Sequence, residues 1–427
     1  MTAVGVPRSS VGVPGSPLDG STGRHVPVTD VTVLRGPRLL ATMADPPSLA
    51  THRERFGNLP SLTLSAVLEL ARDVDVRGRG GAGFPLATKL AAAGRGRRPL
   101  VVVNAAEGEP CSAKDSALAV VTPHRVLDGA AIAARALGTK EIHVVTPRER
   151  PTTGESLGAA IAERVASGER LRWRTHLAAP GFVSGQARAV IELLSGRPGL
   201  PVTAWQPEAV SGYRGRPTLL SNAETFAQLA TLVHLGASGY AALGLPEEPG
   251  TVLLTVNDDQ GTRVVEVATG TPWDVVLTED QLDRPLLVGG YHGTWVAPGQ
   301  LQGQRVARTA MQAAGLTLGA GVVIVPAADE CPLDVSAEIV AYLAASTAGR
   351  CGPCFNGLPA LSLTLGHLAS RSGHTHDMGR LLDLAGMVER RGACAHPDGT
   401  ARLVRSLLTA CPDEVARHAA GGCGYER

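Results

Sequence analysis

Aromatic residues make up only 3% of this 427-residue chain, and lysine is scarcer still: Lys89, Lys114 and Lys140 stand alone beside 37 arginines. With so few lysines, the placement of each is informative. Long apolar runs are also missing. Segments such as Leu100-Val101-Val102-Val103 and Gly321-Val322-Val323-Ile324-Val325 fall far short of the roughly 18–20 residues a membrane span needs, so no transmembrane segment is expected. Charge of one sign is lacking too, since 40 basic against 39 acidic residues leave a net +1. That balance gives no general pull towards nucleic acid or an anionic surface, and nucleic acid is excluded as a partner. The opening MTAVGVPRSSVGVPGSPLDG has neither the charged start nor the apolar core of a secretion signal. The expected location is cytoplasmic, or peripheral on the inner face of the membrane through partners. In that reducing setting seven cysteines, an odd number, point to metal or redox chemistry rather than a disulfide framework.

The length allows two or three domains. Residues 1 to about 40 carry five prolines and six glycines without a sustained apolar period, which predicts a disordered tail, bounded here at 1–44. Leu62, Leu64, Val67, Leu68 and Leu70 are spaced for an amphipathic helix that runs into a glycine-rich loop, Arg77 to Pro85. Strands at 100–104, 141–146 and 171–177 alternate with helices at 121–137 and 155–166. Such β-α-β-α-β order predicts a mainly parallel sheet covered by helices, over residues 45–240. Thr251–Asn257 and Arg263–Ala268 flank Asp258-Asp259-Gln260-Gly261, which reads as a hairpin in a second, smaller domain at 241–325. From 326 onward the pattern is helical, with segments near 335–346, 357–370, 377–390, 399–410 and 413–419.

Three motifs bear on chemistry. Gly78-x-Gly80-x-x-Gly83 satisfies the dinucleotide-loop spacing, but a helix precedes it where that motif requires a buried strand. What remains is a backbone without Cβ atoms that admits a phosphate or a flat ring, with Lys89 nearby; the plain alternative is a flexible turn. Asn104-Ala105-Ala106-Glu107-Gly108-Glu109-Pro110 follows a strand, where α/β domains build ligand crevices, and its acids suit ribose hydroxyls; alternatively it is a solvated acidic turn. Cys351-Gly352-Pro353-Cys354 offers two thiolates to one metal centre, and Cys394 a third. An iron–sulfur cluster, zinc or a redox pair would use them.

Taken together these segments resemble the flavin subunit of respiratory complex I, the NADH-quinone oxidoreductase F or 51 kDa family, also found in NAD-reducing hydrogenases and formate dehydrogenases. The likeness spans roughly residues 45 to 412. It rests on Arg77 to Pro85 with Lys89, Asn104 to Pro110 with Lys114-Asp115, Gly196-Arg197-Pro198, Pro217 to Thr225, and Cys351-Gly-Pro-Cys354 with Cys394. The resemblance implies an α/β flavin domain, a β-grasp-like (SLBB-type) insert and a C-terminal helical bundle holding an iron–sulfur cluster. It further implies electron transfer from NAD(P)H through FMN to that cluster. On this basis Gly78, Arg79, Gly80, Gly81, Gly83, Lys89, Asn104, Glu107, Gly185, Ser221, Asn222 and Thr225 are expected to hold FMN. Phe84 and Glu109 are expected to face NADH, and Cys351, Cys354 and Cys394 to ligate the cluster.

The sequence departs from that family at informative places. Ala106 replaces an aspartate, Gln186-Ala187 replaces a pair of acids, Ala92 replaces an aromatic, and Ala348 replaces a cluster cysteine. Three thiolates suit a 3Fe-4S centre, or a 4Fe-4S centre with another donor such as His396. Cys331 is expected off the cluster, and Cys411 and Cys423 to be structural or exposed thiols. Gln186 and Ala187 predict slow NADH oxidation. The expected partner is another electron-transfer subunit or a ferredoxin. Two alternatives stay open: a cofactor-poor docking subunit, and a flavin-free scaffold whose cluster serves a ferredoxin.

Overall fold

A computed structural model of the protein describes residues 4–7, 30–41, 48–372 and 376–425. Four parallel strands form the central sheet, in the spatial order Arg172–Ala178, Glu141–Pro147, Leu100–Asn104, Thr218–Asn222. Leu100 to Val103 are fully buried, as a strand covered by helices on both faces requires. The helices that cover the sheet include Leu64–Asp73, Leu86–Gly94, Pro123–Ala136, Pro151–Ala166 and Ala223–Ala241. The helix expected at 121–137 is Pro123–Ala136, and a further helix that the sequence did not signal, Lys114–Val121, precedes it at 98°. Pro123 lacks an N–H and disfavours helical geometry in the residue before it, and Thr122 accordingly lies at φ −138°, ψ 54°. No single helix among the described residues is long and apolar enough to cross a membrane.

A second, mixed sheet contains the expected hairpin, Thr251–Asp258 paired antiparallel with Gly261–Ala268. Val322–Ile324, Leu286–Val288 and Thr294–Val296 extend it on one side, and Asp30–Val33 on the other. This last strand corrects the disordered tail. Val31 and Val33 are buried, and the carboxylate of Glu266 accepts the N–H groups of Arg38, Leu39 and Leu40 at 2.9–3.0 Å. Short segments of this kind are ordered by a distant partner, which local composition does not reveal. Residues 1–3, 8–29 and 42–44 of that expected tail lie outside the described residues.

The C-terminal helices are Pro332–Ala345, Leu358–Ala369, Asp377–Val388, His396–Ala410 and Pro412–Ala419. They share one apolar core built on Leu343, Leu358, Leu361, Leu365, Leu381, Leu403 and Leu407.

Candidate cofactor site

The strand order places a topological switch point beside Leu100–Asn104. From its end the chain moves to one side, towards Glu141–Pro147, while Thr218–Asn222 lies on the other. Loops that leave adjacent strands in opposite directions open a crevice at their carboxyl ends, where open α/β sheets bind ligands. Asn104 and Asn222 are paired in register at that edge.

The glycine loop closes over the Asn222 side. The Thr225 hydroxyl accepts the Arg79 N–H at 2.9 Å, while Asn222 Oδ1 accepts from both the N–H and the hydroxyl of Thr225. Asn222 caps the Ala223–Ala241 helix in this way. Its amide donates to Asp115 at 3.1 and 3.2 Å. Lys114, fully enclosed, donates to Glu224 at 2.7 Å and lies 3.5 Å from Asp115. Burial lifts Asp115 to about 6 in spite of that ammonium. Ser221, the preceding residue, is buried in the strand.

Gly80 and Gly81 are exposed, and their N–H groups have no hydrogen-bond partner among the described residues. Gly81 adopts φ +101°, a conformation that side chains resist. The carbonyl of Gly83 takes donors from Arg77 and Arg308 at 3.3 and 3.4 Å, and Gly78 anchors the loop through its N–H to the Phe84 carbonyl. The Arg79 side chain turns away, towards Glu248 at 3.8 Å. Lys89 is half-buried and donates to the Leu220 carbonyl at 3.2 Å. Burial depresses its pKa, with Glu208 opposing weakly, and it forms no ion pair among the described residues. A desolvated ammonium with spare donors beside open backbone N–H groups fits an anion such as the phosphate of FMN. Phe84, 47% exposed, lies on the outer rim 6.0 Å from the Lys89 ammonium. Ala92 lines an open groove of about 460 Å³ with Arg72, Thr88 and Arg95.

On the Asn104 side, the amide donates to the Gly185 carbonyl at 2.8 Å. Gly108 and Gly185 let the two loops touch: a Cβ on Gly108 would lie 3.2 Å from the Gly185 nitrogen, and one on Gly185 2.7 Å from the Ala106 carbonyl. Glu107 and Glu109, expected at FMN and NADH, are both engaged within the chain. Glu107 accepts from Ser112, Ser116, the Asp115 N–H and Arg150 at 2.6–3.1 Å. Burial opposes its charge, but Arg150 and the serine hydroxyls outweigh that and hold its carboxyl below the ordinary range. Its acceptor capacity is spent on folding the loop. Glu109 is half-buried beside the Gly290-Tyr291 turn, where it accepts the Tyr291 N–H at 2.9 Å, and burial pushes it up to about 7 against that bond. Arg150 was not foreseeable, because nothing local to it signals an acid 43 residues earlier.

In the bundle, Cys351 and Cys354 lie on the turn that opens into a π-helical segment, Pro353–Gly357, their sulfurs 3.4 Å apart. Burial acts against the Cys354 thiolate, yet the N–H groups of Arg350, Cys351 and Gly349 and the Cys351 side chain outweigh it and lower its pKa. Cys394 is raised by burial and by the charges of Cys354 and Cys351, so the three thiols share one field. The Gln186 side chain hydrogen-bonds Cys394, and both residues line a cavity of about 460 Å³ with Trp205 and Ala395. His396 is removed as a fourth donor. Its Nε2 bonds the Leu343 carbonyl at 2.8 Å and its Nδ1 meets His292 at 3.1 Å. Three converging thiols without a fourth fit a cluster with one position left to a non-cysteine donor.

Comparison with known proteins separates the same two regions. The Nuo51 FMN-binding domain family matches residues 71–231, and the NADH-ubiquinone oxidoreductase-F iron-sulfur binding region matches residues 334–418. The chain belongs to the family of complex I flavin subunits. Among its relatives, the NADH-quinone oxidoreductase F-subunit 2 of Rhizobium meliloti (strain 1021) is 27% identical over 381 residues, 84% of this chain and 90% of that protein. The NADP-reducing hydrogenase subunit HndC of Solidesulfovibrio fructosivorans is 26% identical, over 86% of this chain and 78% of that one. Among solved structures, the NAD+-reducing NiFe-hydrogenase in the air-oxidized state superposes with a TM-score of 0.80 at 27% identity, covering 91% of this chain and 68% of that chain. The switch-point crevice falls inside the FMN-binding match, and the three thiols fall inside the iron-sulfur match.

Proposed function

We propose that the protein is an NAD(P)H-linked flavin and iron–sulfur electron-transfer subunit, with FMN over the carboxyl ends of Leu100–Asn104 and Thr218–Asn222. The observation that carries this reading is the registered Asn104–Asn222 edge facing open glycine N–H groups and the underpartnered Lys89. When bound, FMN accepts a hydride as a two-electron unit and returns electrons singly.

The chain's own residues do the rest. Gly80, Gly81 and Lys89 neutralise the phosphate, and Asn104 and Asn222 address the polar side chain of the flavin. Thr225, Arg79 and Glu107 hold those groups in place through the contacts described above, and Ser221 through its place in the strand opposite Val103. Phe84, at the exposed rim, offers a face on which an adenine stacks. Glu109, half-buried beside the Gly290-Tyr291 turn, faces the nucleotide ribose. Cys351, Cys354 and Cys394 hold the cluster, with Gln186 beside it in the position where the family carries an acid. The unit at 241–325, which supplies most of the second sheet, corresponds to the β-grasp-like (SLBB-type) insert, and the unit from 326 onward to the cluster domain. The acceptor is another electron-transfer subunit or a ferredoxin, which agrees with relatives named as subunits.

Reconstitution of the purified full chain with FMN tests this reading. Quenching of flavin fluorescence that saturates at one FMN per chain, and weakens in Lys89→Ala, supports it. Failure to retain FMN while iron and sulfide are incorporated favours the cluster-only scaffold instead.

A further inference from the structure

Away from both cofactor sites, four donors meet at the far side of the bundle. The ligand atoms of Cys331, Glu414, His418 and Cys423 all lie within 4.8 Å of one another. Cys331 Sγ is 3.3 Å from His418 Nε2 and 3.9 Å from Glu414 Oε1, and His418 Nε2 is 3.2 Å from Glu414 Oε1. A tetrahedral shell with bonds of about 2.0–2.3 Å has edges of roughly 3.3–3.8 Å, so these separations already approximate one. We propose that Cys331, Glu414, His418 and Cys423 form a structural zinc site that clips the C-terminal turn onto the first helix of the bundle.

Each donor is oriented by a contact of its own. His418 Nδ1 faces the carbonyls of Leu368 and Ala369 at 3.2 and 3.0 Å. A ring that donates there carries its lone pair on Nε2, the atom turned to Cys331, which is how outer partners fix a metal-ligating histidine. Cys331 caps the Pro332–Ala345 helix, and the N–H groups of Leu333 and Asp334 reach its sulfur. Burial outweighs those N–H groups and raises the metal-free thiol to about 12, so its ionisation is coupled to metal binding. Glu414 Oε1 takes the Gly424 N–H at 2.8 Å, and Arg417 approaches Oε2 at 3.5 Å. Cys423 Sγ accepts the Tyr425 N–H at 3.4 Å.

The spacing is economical. Glu414 and His418 share one face of the Pro412–Ala419 helix as an i,i+4 pair. The turn at Gly421, with φ +85°, brings Cys423 back to them. Cys331 comes from 83 residues before Glu414, so a bound ion closes a long loop. Two thiolates, a carboxylate and a neutral imidazole give zinc a shell of net charge −1, which Arg417 offsets. Zinc is redox-inert, so it would brace an electron-transfer domain without taking electrons.

The test uses the reduced full chain carrying Cys351→Ser, Cys354→Ser and Cys394→Ser, which removes the cluster thiols. After dialysis against Zn²⁺, elemental analysis should give one zinc per chain, and Co²⁺ should produce the intense visible bands of a tetrahedral thiolate site. Loss of an outer partner alone typically costs about 10–100-fold in affinity, so adding Cys423→Ala should weaken Zn²⁺ binding more than about 100-fold. Cys423 sits on the terminal turn, and unchanged far-UV circular dichroism will show that this variant folds; His418→Ala, a second variant, should lose the cobalt bands as well. The proposal is overturned by absence of zinc uptake, by cobalt spectra that both substitutions leave unchanged, by preferential filling with iron, or by a Cys331–Cys423 disulfide in protein kept reduced.

Discussion

Replacing Glu109 with glutamine removes a titrating carboxyl from the seam between the crevice loop and the Gly290-Tyr291 turn, at nearly constant shape. Burial holds that carboxyl at about 7 in the native chain, against 4.5 when unfolded. Below 4.5 both states keep the proton and the group is neutral in its effect. Between 4.5 and 7 the unfolded chain releases the proton while the native chain retains it, so stability falls as pH rises. Above 7 the native carboxylate is charged without a cationic partner, and the full penalty applies. At about 1.4 kcal/mol per pH unit, the difference amounts to roughly 3 kcal/mol. Glutamine keeps an oxygen for the Tyr291 N–H and carries no charge at any pH. Urea unfolding of the cofactor-free chain, followed by tryptophan fluorescence, should therefore show Glu109→Gln more stable than the parent at pH 8.5 by up to about 3 kcal/mol. At pH 4.5 the two should nearly coincide. A difference that does not depend on pH would refute the buried, unpaired placement of Glu109.

Lys89→Ala should weaken FMN binding by about 10–150-fold, the worth of one charge-assisted hydrogen bond, measured by fluorescence quenching. Lys114→Met should strand the carboxylates of Asp115 and Glu224 and cost about 3–5 kcal/mol in thermal or denaturant unfolding. NADH should reduce the flavin slowly in the parent, and Gln186→Glu with Ala187→Glu, which puts two charges on the segment between the crevice contact at Gly185 and Cys394, should raise that rate by at least about tenfold in stopped-flow. Ala348→Cys should convert an oxygen-labile or three-iron centre into a stable 4Fe-4S centre, read by electron paramagnetic resonance and iron content.

Much of the flavin domain was legible in the chain. The apolar run Leu100–Asn104 and the hairpin at 251–268 have periodicities that survive in the folded protein because burial enforces them. The thiols at 351, 354 and 394 were legible as a group through their spacing. Roles that depend on distant partners were not. Glu107 looks like a ligand until Arg150 occupies it, and His396 looks like a donor until Leu343 and His292 claim both nitrogens. Asp30–Val33 reads as tail because its pairing strand begins more than 200 residues later. Cys331 and Cys423 look unrelated for the same reason, since only the packing of the last helix brings them together.

Passage of electrons from a flavin in the switch-point crevice to a cluster on three thiols is the central claim. Anaerobic single-turnover reduction of the FMN- and iron-loaded full chain, with optical and freeze-quench electron paramagnetic resonance detection, tests it directly. The expected result is bleaching of the flavin by NAD(P)H, however slow, followed by a reduced-cluster signal that Cys354→Ala abolishes while bleaching persists. A loaded chain in which the flavin bleaches and no cluster signal follows, or in which the signal survives loss of Cys354, would contradict it.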